Sequence, residues 1–562
     1  MPGETKKSYA FTASATGLLY RTIGEYFAEI VTKYPENEAL VAVWRNERYT
    51  YQEFYDTCRQ AAKGLMQLGV AKGDRVAIWA TNYPEWVIAQ FATAMIGAIL
   101  VTVNPAYRSH ELEYCLRDSQ CQTIILIGRF KTSDYLAMFY RVCPEAKEAK
   151  AGAIASKRFP YLKNVIFLGK ETHPGMYTWD NLLEMGRSVS DAALKERAES
   201  LDPDDVINIQ YTSGTTGLPK GASLTHQNIL NNAFYIGEYM KFTARDRLCI
   251  PVPFYHCFGM VLGTLACVTH GAAMVLPAEY FEPLAVLETV EQERCTALHG
   301  VPTMFISELE HPEFSRFNLT SLRTGIMAGS PCPIEVMRKV VDQMHAREIT
   351  IAYGLTECSP VTNQTATDDS LELRCGTVGR PLPHVEVKIV DPQTGKTVPV
   401  GESGELCARG YLVMRGYYNQ PEETAGVIDE AGWLHSGDLA EMDENGYCKI
   451  VGRIKDMIIR GGENVYPREI EEFLYTHPKI KDVQVIGIPD PKLGEQVVAW
   501  VQLKEGQQAE PEEIQEFCRG TIAHYKIPKY IKFVEDYPKT VTGKIQKYKM
   551  REIAIKELSL TE

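Results

Sequence analysis

Positive charge is in deficit in this chain. There are 59 Lys and Arg against 72 Asp and Glu, a net charge of −13, which argues against a non-specific nucleic-acid binder. No Cys-x-x-Cys pair occurs among the 14 cysteines, and no histidine cluster stands near the two closest, Cys115 and Cys121. The pattern argues against a disulfide frame or a zinc site and fits reduced, mostly buried thiols. The first 17 residues lack the apolar core of a secretory signal and the arginine-rich amphipathic pattern of a mitochondrial leader. A cytoplasmic location is expected, with the mitochondrial matrix as the alternative. Internal repeats and low-complexity segments are absent. Only one apolar run, residues 86–103, approaches the length of a membrane span. Gly97 interrupts it, so a helix over 84–96, a turn and a buried strand are expected instead. No transmembrane segment is expected, and a peripheral membrane contact stays open.

What is present centres on residues 211–221, YTSGTTGLPKG. Its glycines let the backbone approach a ligand closely. Hydroxyls, backbone N–H groups and the Lys220 ammonium suit a polyphosphate. The stretch is not a Walker A loop, because no Gly-Lys-Ser/Thr follows at the required spacing. A strand-like run over 206–209 precedes it and a helix-like run from Asn228 follows.

At 562 residues the chain should split into two or more domains. Thr22 and Glu25 form a capping-box pattern ahead of an amphipathic helix over 22–34. Residues 39–44 and 48–50 read as a strand hairpin and 51–68 as a helix. Short apolar runs at 76–79, 99–103 and 123–127 alternate with helical stretches. The same alternation returns at 247–250, 260–270, 273–276, 284–293, 296–299 and 325–328. It predicts parallel sheets with crossover helices, an α/β class. From about Val385 alternating apolar and polar residues between Gly-rich turns suggest antiparallel strands, as in a small barrel. After Gly452 a compact α+β unit is expected, with helices over 467–476 and 511–522 and strands over 483–488 and 496–503.

Further motifs follow. Tyr353-Gly-Leu-Thr-Glu357 ends a strand-like run, where an aromatic can stack on a base and a carboxylate can meet Mg²⁺. His435-Ser-Gly-Asp438 sets a carboxylate after a tight turn, suited to ribose hydroxyls. Arg453 lies in GRIKDMIIRGGENVYP and Lys544 in PKTVTGKIQK. With YTSGTTGLPKG these five motifs stand in one order, and the chain resembles the adenylate-forming superfamily: acyl-CoA synthetases, firefly-luciferase-like enzymes and peptide-synthetase adenylation domains. PFYHCFG, MAGSPCP and IIRGGENVYP look most like the medium-chain fatty acyl-CoA synthetase branch.

The resemblance implies a large N-terminal domain, residues 1–454, of two α/β subdomains plus a small β-barrel, and a mobile α+β C-terminal domain, residues 455–562. It implies that a carboxylic acid attacks ATP to give acyl-AMP and pyrophosphate, after which CoA takes the acyl group. It also implies Mg²⁺, and a monomer or homodimer. By motif position, Thr212, Ser213, Gly214, Thr215, Thr216, Gly217, Leu218, Pro219, Lys220 and Gly221 should hold phosphates. Ala328, Gly329, Ser330, Pro331, Tyr353 and Gly354 should enclose adenine. Thr356 should bind the α-phosphate and Glu357 the Mg²⁺. Asp438 and Arg453 should take the ribose, and Lys544 should bridge carboxylate and α-phosphate. Lys455 matches the family hinge, and Gly461 and Gly462 match the pantetheine tunnel. Lys and Arg outnumber acids over 526–556, which fits a wall for phosphates or a solvated face equally.

Tyr255 stands where amino-acid adenylating domains carry Asp, so an amino-acid substrate is not expected. His256 is then the expected gate and carboxylate neighbour, with a packed core histidine as the alternative. Acetyl-CoA synthetases have Trp where this chain has Gly354, so a longer acyl chain is expected. The expected channel is lined by Val261, Val301, Met304, Phe305, Gly354 and Cys358 together with His256. Short, keto, thioether or aryl acids and loading of a carrier protein remain alternatives, as does a non-catalytic nucleotide-binding relative. Intact Lys544, Glu357 and Thr356 argue against the last.

Overall fold

In a computed structural model of the chain, the described residues are 6–212, 219–330, 332–460, 463–519, 521–539 and 545–558. They pack as two units, one of residues 10–387 and 408–434, the other of residues 1–9, 388–407 and 435–562. The boundary expected at 454/455 lies inside the second unit, at the 3₁₀ turn Ile454–Asp456.

In the larger unit the local signals at helix starts act as the sequence suggests. Thr22 and Glu25 close a capping box on the helix Ile23–Lys33, and Thr50 and Glu53 do the same for Tyr51–Gln67. The strand expected over 39–44 is shorter, Glu38–Ala42. Val43–Arg45 turns as a 3₁₀ helix and Asn46 takes a left-handed conformation, which asparagine tolerates. The long apolar run is a helix, Pro84–Ile96, stopped by Gly97 at φ +68°, then the strand Ile99–Thr102. Every helix residue except Glu85 is buried, which explains its all-round apolar character. Among the described residues no helix is long and apolar enough to cross a membrane.

Two mostly parallel sheets carry this unit. The first has eight strands in the order Tyr177–Thr178, Asn164–Phe167, Thr123–Leu126, Arg75–Trp79, Ile99–Thr102, Val206–Thr212, Lys220–Thr225, Gly416–Tyr417. The last two join antiparallel. The second has nine, in the order Arg380–Pro381, Val361–Gln364, Glu348–Gly354, Thr324–Ala328, Ala297–Gly300, Arg247–Cys249, Ala273–Leu276, Glu38–Ala42, Glu47–Thr50. The strands from Glu348–Gly354 to Glu38–Ala42 are parallel. These are the two expected α/β layers. The helix expected over 260–270 begins earlier, as a π-helix over Phe258–Leu265 that continues as Ala266–His270.

The segments expected as a small barrel form a five-stranded sheet, ordered Tyr9–Phe11, Val385–Val390, Gly404–Gly410, Leu434–Met442, Cys448–Arg453. The division into units cuts the first three of these strands and separates Leu434 from the fourth. The C-terminal α+β part pairs Ile480–Asp490 with Gly494–Leu503, antiparallel, around a core that includes Ile458, Val465, Ile470, Val485 and Ile514. Its helices are Pro467–Leu474, Pro511–Cys518 and Lys547–Glu557. The second is shorter than expected because Arg519 leaves helical geometry at ψ 135°.

His299 ties the π-helix to the nine-stranded sheet. Its Nε2–H donates to Leu262 O at 2.9 Å and its Nδ1 accepts Ile326 N–H at 3.2 Å, so the buried ring is held neutral. Desolvation lowers its pKa to about 4. A depressed histidine is protonated first in the unfolded chain, so its stability contribution is complete above pH 6.5 and falls away towards pH 4. Buried Glu308, whose carboxyl is pushed up by desolvation, acts in the opposite sense. The difference between variants therefore carries the signal. Between pH 7 and pH 5 the wild type should lose about 2 kcal/mol more stability than His299→Gln, read from denaturant midpoints. Equal losses would contradict the neutral, buried assignment.

Candidate active site

The C-terminal ends of four neighbouring parallel strands in the nine-stranded sheet lead into one group of the expected ligands. Glu348–Gly354 leads into Thr356 and Glu357, Thr324–Ala328 into Gly329 and Ser330, Ala297–Gly300 into Val301, and Arg247–Cys249 towards His256. Ala328 and Ala352 are register partners, so the loops following these two strands leave the sheet side by side. This is where ligands bind in open α/β sheets.

Glu357 lies in a 3₁₀ turn, Thr356–Cys358. Its Oε1 accepts the Tyr417 hydroxyl at 2.7 Å and its backbone carbonyl accepts Met414 N–H at 2.9 Å. Burial and the Glu357 carboxylate push the Tyr417 phenol up, so it stays a donor. A fixed carboxylate supplies the hard oxygen that Mg²⁺ takes. Gly329 has φ +90°, a conformation that favours glycine. Pro331 is outside the described residues.

Residues 213–218 of the glycine-rich loop are also outside them. The loop joins two strands, Val206–Thr212 and Lys220–Thr225, with Thr212 opposite Lys220. The strand Lys220–Thr225 is not apparent from the sequence, where Lys220 and Gly221 read as loop. The helix follows it as His226–Tyr239, capped by Thr225. A Cβ at Gly221 would sit 2.8 Å from Ile209 Cγ2, so the hairpin itself requires this glycine. Tyr211 donates to Asp118 at 2.6 Å, and Tyr114 donates to the carbonyl of Pro219 at 3.0 Å. Lys220 is paired with Glu423 and lies 5.3 Å from the Tyr417 ring centroid.

The expected acyl wall divides. His256 is exposed rather than packed in the core, and its Nδ1 accepts Phe258 N–H at 3.1 Å. Val301 is half-buried and Met304 buried, at 8% exposure. Val261 and Cys358 are fully buried. Phe305 packs in the core with Leu298, Met327 and Leu287. Gly354 has a different reason from the one expected. A Cβ there would lie 2.0 Å from Pro360 O, so backbone crowding between two paired strands excludes a side chain. A Gly354→Trp variant would therefore disturb the strand pair before it could report on chain length.

The second unit carries the rest. Asp438 and Arg453 are register partners on adjacent antiparallel strands, and Arg453 Nε donates to Asp438 Oδ1 at 2.9 Å. The Asp438 side chain is almost fully buried and the Arg453 side chain about one-third exposed. His435 Nδ1 lies 2.8 Å from Glu405 Oε2, and Glu405 Oε1 accepts Gly437 N–H at 3.0 Å. Glu405 thus braces the turn before Asp438, a role with no local signal in the sequence. Lys455 is exposed in the turn Ile454–Asp456. Arg460 and Glu463 pair across the hairpin whose connection, Gly461 and Gly462, is outside the described residues, as is Lys544.

Residues 27–418 match the family model described as AMP-binding enzyme, and residues 469–544 match AMP-binding enzyme C-terminal domain. A Bacillus subtilis protein named as an acyl-CoA synthetase, YngI, is 55% identical, covering 97% of this chain and 99% of the relative. A zebrafish (Danio rerio) protein named medium-chain acyl-CoA ligase ACSF2, mitochondrial, is 47% identical over 98% of this chain and 91% of its own. The crystal structure of ATP-bound MatB from Rhodopseudomonas palustris superposes with a TM-score of 0.80 at 28% identity, covering 95% of this chain and 99% of that one.

Proposed function

The chain belongs to the AMP-binding enzymes, and from that premise we propose that it is an AMP-forming acyl-CoA ligase whose acid is a medium-length fatty acid. It activates the acid with ATP to an acyl-AMP and passes the acyl group to CoA, releasing AMP and pyrophosphate. The observation that carries the reading is the line of strand ends that presents Ala328–Ser330, Tyr353, Thr356 and Glu357 together, beside the full motif set.

In this reading Tyr353 and Ala328–Ser330 face the adenine and Thr356 the α-phosphate. Asp438 and Arg453 hold the ribose, and Lys220 with the loop 212–221 meets the outer phosphates. Glu357, fixed by Tyr417, would hold Mg²⁺, which neutralises phosphate charge during the attack. His256, exposed at the start of the π-helix, gates the acid, and Val301 and Met304 are the wall residues best placed to meet an acyl chain. Each methylene buried adds about 0.8 kcal/mol, so activity should rise with chain length until the end wall is met. Thioester formation measured over straight acids of about two to sixteen carbons, with branched, keto, thioether and aryl acids beside them, tests this. A maximum at a medium chain supports the reading; a maximum at acetate or at an aryl acid overturns it. Turnover with a holo-carrier protein but not with free CoA would replace CoA as acceptor.

Lys220 must leave Glu423 to meet phosphate. Glu423 is about half exposed and the pair is worth about 1 kcal/mol or less, so Glu423→Gln should lower KM for ATP by up to about fivefold and leave kcat unchanged. A raised KM would count against Lys220 as a phosphate ligand.

A further inference from the structure

Glu405, Cys407 and His435 bring a carboxylate, a thiol and an imidazole to one point. Glu405 and Cys407 are two apart on the strand Gly404–Gly410 and so share a face. His435 comes from the neighbouring strand, Leu434–Met442. His435 Nδ1 is 2.8 Å from Glu405 Oε2 and 3.5 Å from Cys407 Sγ, and the three candidate ligand atoms lie within 4.8 Å of one another. Among the described residues this is the one such group of three.

We propose that the trio is a binding site for a borderline-soft divalent cation of the Zn²⁺ or Co²⁺ class. A thiolate, an imidazole and a carboxylate select such ions over Mg²⁺. Ligands held tetrahedrally at about 2.0–2.3 Å stand roughly 3.3–3.7 Å apart. The sulfur–nitrogen distance already meets that, and the nitrogen–oxygen distance has to open by about half an ångström. His435 Nδ1–H donates to Glu405 Oε2. On metal binding that ring proton moves to Nε2 and the Cys407 proton goes to solvent. The His435 side chain is about one-third exposed, which gives the ion an approach and leaves a fourth position for water.

Occupancy has a consequence. Glu405 also holds Gly437 N–H, next to Asp438, so an ion drawing on that carboxylate perturbs the turn that carries Asp438. Inhibition by Zn²⁺ is expected. That consequence rests on Asp438 binding the ribose, whereas metal binding does not.

The test is a Co²⁺ titration of the full, untagged chain under reducing conditions. One equivalent should give a near-ultraviolet sulfur-to-cobalt charge-transfer band with tetrahedral visible bands, and one equivalent of Zn²⁺ should abolish both. Cys407→Ser should lose the charge-transfer band and bind at least about tenfold more weakly. Cys332→Ser, the control at the one cysteine that is not buried, should keep it. No sulfur band in the wild type, or one that survives in Cys407→Ser, overturns the site. In the second arm, Zn²⁺ should inhibit acyl-CoA formation with Mg·ATP in excess, and Cys407→Ser should escape. A wild-type cobalt band without Zn²⁺ inhibition keeps the site and overturns its link to Asp438.

Discussion

Lys544→Ala should lower acyl-AMP formation from acid and ATP by roughly 10²–10³-fold or more, by analogy with losing one preorganised donor to a developing anion. The attack brings a carboxylate towards a polyanionic nucleotide, and an ammonium placed between them offsets the repulsion most in the transition state. Thioester formation has no such need once pyrophosphate has left. The same variant should therefore still convert supplied acyl-AMP and CoA to acyl-CoA at a rate close to wild type. Pyrophosphate release and thioester formation, measured separately, check this. Equal loss of both steps in a folded variant would remove Lys544 from its assigned role.

Lys455→Pro should do the reverse. The family match places a C-terminal domain at 469–544, which carries Lys544 and follows Gly461 and Gly462 closely. The lysine is needed while two anions meet, the glycine pair when the thiol arrives, and about eighty residues separate them. A pivot at the end of the strand Cys448–Arg453 would exchange them, because hinges sit at element ends and absorb the φ/ψ change. Ile454–Asp456 is a single 3₁₀ turn, with φ of about −50 to −70° expected there. A proline ring fixes φ at position 455 and so removes the rotation that a pivot there needs. Pyrophosphate release should persist while thioester formation falls by about 10²-fold, the scale of a misplaced reacting group. If Lys544→Ala and Lys455→Pro each abolish both half-reactions equally while folded, exchange about Lys455 is wrong.

Short-range chemistry was legible from the sequence. The Thr22–Glu25 and Thr50–Glu53 boxes, the stop at Gly97 and the alternation that builds two parallel sheets all rest on neighbours within a few residues. Long-range pairing was not. Lys220 meets Glu423 across 203 positions and Tyr417 meets Glu357 across 60, and neither pair has a local signal. The strand Lys220–Thr225 was hidden because Lys-Gly reads as loop until its partner strand is known. Gly354 shows the opposite error. Its missing side chain looked like room for substrate, whereas the carbonyl of Pro360 fills that space. Phe305 likewise belongs to the core that any buried helix face would need.

The most direct measurement follows one oxygen atom. If the acid is activated as acyl-AMP, a carboxylic acid labelled with ¹⁸O and turned over with ATP and CoA must leave one labelled oxygen in the phosphate of AMP, with unlabelled pyrophosphate. Label in inorganic phosphate, accompanied by ADP, would mean an acyl-phosphate route and would contradict the account.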